Sequence, residues 1–100
     1  MKVYVVNNCS VNTCVTIAVF TSEEKAVELA KKLHESLARL VRARIRRFVE
    51  TPPFKVDDCS TPTNRRLCID LEIARMENHE ITVRWIEIYE IELDKPPIKL

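Results

Sequence analysis

The sequence predicts an α+β domain in which one long helix packs on one face of an antiparallel sheet, with the element order β-β-α-β-β-β. Two runs rich in β-branched residues open the chain, an apolar stripe at helical spacing follows, and alternating apolar and polar residues come last. A chain of 100 residues has the size of one folding unit. We therefore predict a single domain over residues 1–100.

The first predicted element is a hairpin over residues 2–20. Residues 2–7 and 14–20 are rich in β-branched and aromatic residues, which favour strands. The stretch from Asn7 to Thr13 between them is mostly polar, as is typical of a hairpin loop. These two strands therefore open the fold.

A helix is predicted over residues 22–49. Thr21 and Glu24 match a capping box, in which each side chain bonds to the other residue's backbone amide. Apolar residues then recur every three or four positions as far as Phe48, which draws one continuous stripe along a helix. Two consecutive prolines from Pro52 onward cannot continue the helical hydrogen bonds, so the helix must end before them.

Residues 54–94 are predicted to form a short extended piece followed by strands and a hairpin. Apolar and polar residues alternate over 67–75, which is typical of a strand with one buried face. A polar turn at 76–80 leads into a second long strand. Its alternation breaks after Trp85, which predicts either a β-bulge or a strand covered on both faces.

The face of the sheet opposite the helix needs a cover if both sides of the last strand are apolar. A second copy of the chain is the simplest cover, so we expect a homodimer. The alternative is a monomer with a bulged strand and a mostly charged outer face. The candidate residues of the dimer interface are Trp85, Ile86, Ile88 and Tyr89.

Residues 95–100 are expected to form an extended, loosely held tail.

Three segments of the sequence, KVYVV, VFTSEEKAVELAKKL and IEIYEIELD, resemble small uncharacterised domains common in phages and prokaryotic genomes. The resemblance covers about half of the chain. Residues 50–80 have no counterpart in those domains. The resemblance implies a strand-strand-helix-strand fold and a mobile-element origin. It implies no activity and no catalytic residues.

Four cysteines form two local pairs. Cys9 and Cys14 flank a four-residue loop, whose hairpin register places them opposite one another and favours a cross-strand disulfide. Cys59 and Cys68 are expected to form a second disulfide. Free thiols and a four-cysteine zinc site are the alternatives, and the wide spacing of the second pair disfavours zinc. We expect neither a metal nor a cofactor.

The composition indicates a thermophilic source. Glycine and glutamine are absent, whereas Ile, Val, Glu and Arg are abundant, as in hyperthermophile proteins. Disulfides persist inside the cells of such organisms. The sequence has neither a run long enough to span a membrane nor a signal peptide at its start, so we expect a soluble intracellular protein.

The strongest charge asymmetry is a run of arginines without an acidic residue among them. It favours ion pairs with the acidic residues Glu87, Glu90, Glu92 and Asp94 of the last strand. The alternatives are binding of an acidic protein, self-association, and binding of a nucleotide or nucleic acid, although a net charge of +1 disfavours tight nonspecific DNA binding. The arginines are Arg39, Arg42, Arg44, Arg46 and Arg47.

The sequence predicts a non-enzymatic protein. Without glycine the chain has no phosphate-binding loop of the usual kind, and its cysteines lack a clear histidine partner. His34 and His79 are interpreted as solvated surface residues. We therefore expect an accessory protein that binds a host or viral protein and that is encoded by a thermophilic virus or other mobile element. The alternatives are a nucleic-acid or nucleotide binder that uses the arginine run, and a disulfide-stapled component of an assembly.

Overall fold

The computed structural model describes residues 1–43 and 49–93, and for 41–43 it describes the backbone alone. The predicted α+β class is confirmed, because a helix lies on one face of an antiparallel sheet. The predicted tail lies outside the described residues. The elements are β1 (Lys2–Ser10), β2 (Cys14–Phe20), α1 (Glu23–Ala43), β3 (Val49–Glu50), β4 (Asp57–Asp58), β5 (Arg66–Met76) and β6 (His79–Glu92).

The described strands form one sheet in the order β2-β1-β6-β5-β3, and β4 also pairs with β5. The first hairpin, β1–β2, and the last hairpin, β5–β6, are joined by antiparallel pairing of β1 with β6. This central pairing runs without a break from Lys2 opposite Glu92 to Ser10 opposite Arg84. The first and last parts of the chain therefore form the middle of the sheet together.

The core lies between α1 and the sheet. Ala26 and Ala30, one helical turn apart, have no exposed surface, so the backbone of α1 can approach the strands closely. A cluster of apolar side chains from β1, β5 and β6 packs beneath them. Its strand residues are Val6, Leu67, Ile69, Leu71, Ile86 and Ile88.

The helix begins one residue later than the predicted capping box implies. Ser22, not Thr21, supplies the cap, because its hydroxyl accepts a hydrogen bond from the Lys25 amide at 3.4 Å. The predicted end at residue 49 is wrong, since Val49 lies in β3 and pairs with Ala74 of β5. Residues 44–48 lie outside the described part of the chain.

A pair of bulges explains the broken alternation of the last strand. Asp70 pairs with Trp85 and Glu72 with Arg84, so β5 carries one extra residue, Leu71. Ile73 then pairs with Thr82, so β6 carries one extra residue, Val83. Beyond the bulges Ile86 and Ile88 point toward α1. Their assignment to an interface was therefore wrong, because they are 0% and 1% exposed within the core.

His34 is buried, contrary to its interpretation as a surface residue. The residue is 8% exposed, and its Nε2–H donates to the Pro52 carbonyl oxygen at 2.6 Å. The ring also contacts Phe54 edge-on, with 5.5 Å between the ring centroids. This contact fixes the segment after β3 against α1. His79 is exposed, as predicted.

Candidate functional site

The side chains that point away from α1 form a second surface, which we call the open face. Strand alternation places Trp85, Glu87 and Tyr89 of β6 on this face, because Ile86 and Ile88 between them point into the core. Directly paired residues of an antiparallel sheet share a face, so the register extends this surface to the neighbouring strands. The neighbours include Asn7 and Cys9 of β1 and Arg66, Cys68 and Asp70 of β5.

Glu87 is the centre of the open face and is only 6% exposed. Trp85 Nε1–H donates to its Oε1 at 3.0 Å, and the Tyr89 hydroxyl donates to its Oε2 at 2.7 Å. Arg66 donates from Nη2 to Oε1 and forms an ion pair with the carboxylate. The Arg66 guanidinium also lies 5.6 Å from the centroid of the Tyr89 ring. We call these four residues the Glu87 cluster.

The hydrogen bonds of the cluster keep Glu87 ionised. Burial alone would raise the pKa of its carboxyl, but the bonds from Trp85, Tyr89 and Arg66 together hold that pKa below its ordinary value. Burial, followed by the bond to Glu87, raises the pKa of Tyr89. Both carboxylate oxygens are occupied by donors, so the cluster fixes two aromatic side chains and offers no free base.

The predicted disulfide between Cys9 and Cys14 is formed. The two residues are direct partners in the β1–β2 register, with their Cα atoms 4.0 Å apart. Both point to the open face, and their sulfurs lie within 4.8 Å of a Glu87 oxygen. The bridge therefore closes the first hairpin beside the Glu87 cluster.

Cys59 and Cys68 remain free thiols, so the second predicted disulfide is not formed in the structure. The physical reason is the register. Asp57 is the partner of Cys68, and the Cys59 amide donates to the Arg66 carbonyl at 2.9 Å. The two cysteines are thus diagonal neighbours and not direct partners. Burial, and then a hydrogen bond with Cys59, raises the pKa of the Cys68 thiol to about 12.

The donor groups on the open face do not suit a metal ion as they stand. Within the described residues, Cys9, Cys14 and Glu87 are the group whose ligand atoms lie close enough together. The two cysteines are bonded to each other and carry no thiolate, and Glu87 already accepts three hydrogen bonds. Cys59 and Cys68 do not join this group, so the described geometry does not assemble the four-cysteine alternative.

The arginine run lies only partly within the described residues. Arg39 is exposed on α1, on the other side of the sheet from the Glu87 cluster. The side chain of Arg42, and Arg44, Arg46 and Arg47 entirely, lie outside the described residues, so binding through this run stays a prediction. The acidic residues expected to pair with the run have other partners: Glu87 pairs with Arg66, Glu90 with Lys2, and Glu92 with the terminal amine. Asp94 lies outside the described residues.

Sequence reasoning missed Glu87, although a signal for it was present. The acidic residues of the last strand were assigned to ion pairs with the arginine run and not to a site of their own. Trp85, Glu87 and Tyr89 are spaced by two, so they must share a face of any strand, and two aromatic side chains can bury a carboxylate between them.

Within the described residues, no helix has the length and apolar character that crossing a membrane requires.

Residues 1–61 match a family model described as Domain of unknown function (DUF7336). The match spans β1, β2, α1, β3 and β4, whereas β5 and β6, which carry the Glu87 cluster, follow it. It agrees with the resemblance to an uncharacterised domain family. Neither a curated protein nor a solved structure is similar enough to count as a match.

Proposed function

We propose that this chain, which belongs to the DUF7336 family, is a non-enzymatic protein-binding domain whose binding surface is the open face of its sheet. The observation that carries the proposal is the Glu87 cluster. It presents a tryptophan, a tyrosine and an arginine together, and these three residue types are the ones most enriched in the energetic centres of protein interfaces.

The side chains of the cluster hold one another in place before any partner binds. Trp85 and Tyr89 each donate to the same carboxylate, and Arg66 is held both by that carboxylate and against the Tyr89 ring. Fixed side chains lose little conformational entropy on association, so more of the contact energy appears as affinity. Partial exposure of both rings leaves surface for a partner to cover.

The chemistry of the open face supports a binding role over catalysis. Glu87 accepts donors on both oxygens, and its lowered pKa leaves it a weak base. The Cys68 thiol, with a pKa of about 12, is protonated at neutral pH and so is not poised as the nucleophile of an enzyme. Neither Glu87 nor the Cys68 thiol is therefore the activated group that acid–base or thiol catalysis needs.

We propose a second copy of this chain as the partner, giving a homodimer. The nine paired positions of β1 and β6 extend about 30 Å, and four strands span about 19 Å. The flat area of the open face is therefore about 600 Å². Its projecting side chains add accessible surface, so the area that each partner would bury approaches the roughly 800 Å² of a stable interface. Val19 and Ile91, at the margin of the face, are 56% and 42% exposed and extend it with apolar surface.

The charges of the open face favour pairing with itself. Arg66 and Asp70 lie two positions on either side of Cys68 in β5. Asp70 has no ion pair within the described residues, and burial, followed by the nearby Asp57, raises the pKa of its carboxyl. A two-fold axis that crosses the strands at Cys68 would place each Arg66 near the partner's Asp70.

The molar mass in solution tests this proposal through two matched lysine substitutions. Val19→Lys adds a charge to the open face, whereas Leu40→Lys adds one on α1, and the two parent residues are 56% and 53% exposed. We expect a dimer for the wild type and for Leu40→Lys, and a monomer for Val19→Lys, in light scattering coupled to size exclusion. A monomeric wild type at the highest concentration reached would contradict the homodimer. A dimer that only Leu40→Lys disrupts would contradict the open face as its interface.

We propose that the protein is an accessory protein of a thermophilic virus or other mobile element and that it binds a host protein. The absence of glycine supports the thermophilic source, since it lowers the conformational entropy of the unfolded chain.

A further inference from the structure

The geometry points to a second, reversible disulfide between Cys59 and Cys68, which closes and opens while the Cys9–Cys14 bridge stays formed. This inference is independent of the proposed binding function. It rests on the register of β4 with β5, on the exposure of Cys59, and on the shortness of β4.

The register brings the two thiols to one face without making them direct partners. Cys59 lies opposite Arg66, to whose carbonyl its amide donates at 2.9 Å, and Cys68 lies opposite Asp57. Two positions along a strand return to the same face, so both side chains point to the open face. The two thiols are close enough for a hydrogen bond, but the Cβ atoms of diagonal neighbours lie farther apart than the about 3.8 Å that a disulfide needs. Bond formation therefore requires Cys59 to move toward Cys68.

Cys59 is placed where such a movement costs little. It directly follows β4, which has only two residues, and its side chain is exposed. The turn after it is held by short-range bonds, such as the one from the Arg66 amide to the Ser60 hydroxyl at 2.9 Å. A bond that is exposed and that needs a local shift is reduced more readily than a well-placed structural disulfide. Cys9 and Cys14, as direct partners, need no such shift.

Oxidation of the two thiols to a disulfide needs an oxidant, and a small-molecule disulfide such as oxidised glutathione can supply it. The exposed Cys59 sulfur, as thiolate, attacks one glutathione sulfur, and the other glutathione leaves as a thiolate. Cys68 then loses its proton to solvent and attacks the Cys59 sulfur, which releases the second glutathione thiolate. Two protein thiols are oxidised and one glutathione disulfide is reduced to two thiols. Reduction by glutathione is the reverse sequence.

Closing this bridge would restrain a segment with two structural arginines. Arg65 forms two hydrogen bonds with Glu23 at the start of α1, at 2.9 and 3.0 Å. Arg66 holds Glu87 in the open-face cluster. The Cys59–Cys68 bond would close the loop that carries Arg65 and Arg66. Its formation or reduction would therefore affect the contacts that this loop makes with α1 and with the open face.

Equilibration in glutathione buffers of graded oxidised fraction tests the inference on the wild-type chain. We expect the intact mass to fall by two hydrogen atoms as the oxidised fraction rises, and to recover when it is lowered. Proteolytic fragments should show Cys59 joined to Cys68 and, throughout, Cys9 joined to Cys14. Cys59→Ser and Cys68→Ser are matched variants in which this step should disappear, and Cys68→Ser should instead collect glutathione on the exposed Cys59.

Two results would overturn the inference, and both are read on the wild type, so neither depends on the folding of a variant. In the first, the most oxidised buffer leaves glutathione adducts but no Cys59–Cys68 bond. In the second, the bond forms but opens only in buffers that also open Cys9–Cys14, which would make it a structural bridge like the first.

Discussion

Replacing Ile69 with alanine is expected to lower the free energy of unfolding by about 3 kcal/mol. Ile69 has no exposed surface and belongs to the cluster beneath α1. Removing its branched side chain loses the free energy of burial and leaves a cavity that the surrounding strands cannot fill, and such changes cost about 2–5 kcal/mol. Urea unfolding followed by circular dichroism measures the change.

Ile81→Ala is the matched control for this substitution. Ile81 has the same side chain, but it is 46% exposed near the start of β6. Its truncation should change the free energy of unfolding by less than about 1 kcal/mol. Equal losses for the two variants would contradict a core that lies between α1 and β5.

Replacing Arg66 with methionine is expected to lower the free energy of unfolding by about 2 kcal/mol at neutral pH. Methionine keeps much of the apolar stem but leaves the buried Glu87 carboxylate without its cation. Breaking a fully buried ion pair costs about 3–5 kcal/mol, and we discount this range because the Arg66 side chain is 34% exposed and screened by solvent. Arg75→Met, which removes exposed ion pairs with Glu50 and Glu80, should have a much smaller effect.

The loss caused by Arg66→Met should shrink as the pH falls. The folded chain holds the pKa of Glu87 below its ordinary value of 4.5, so its contribution to stability is complete above that value. The contribution is lost as the pH falls through the lowered folded pKa, because a protonated Glu87 no longer needs a cation. Urea unfolding of both proteins across this acidic range measures the difference, and a loss that does not change with pH would contradict the ion pair as its cause.

The elements that local patterns define were predictable from the sequence. The stripe through Ala26, Ala30 and Leu37 has helical spacing, and the alternation of Leu67 and Ile69 belongs to a strand, so each indicates its element without tertiary information. The two-residue strands β3 and β4 were not predictable as strands, because they exist only through their pairing with β5. The same pairing explains why the predicted helix was too long.

The site was harder to predict because it depends on register and on which face the helix covers. The sequence shows that alternation breaks near Trp85, but not that Ile86 and Ile88 then turn toward α1. The spacing of Cys59 and Cys68 allows a bridge, and only the β4–β5 register shows that they are diagonal. His34 carried a usable signal, since it lies four residues after the buried Ala30 on the same helix face.

Trp85 can report whether a second copy covers the open face in solution. It is the single tryptophan of the chain and lies in the Glu87 cluster, so its fluorescence reports on that face. As the protein concentration rises through the range in which the dimer forms, we expect a shift of the emission to shorter wavelength and weaker quenching by acrylamide. Val19→Lys should show neither change. Emission and quenching that stay constant while the measured mass doubles would place the interface elsewhere and contradict a dimer formed through the open face.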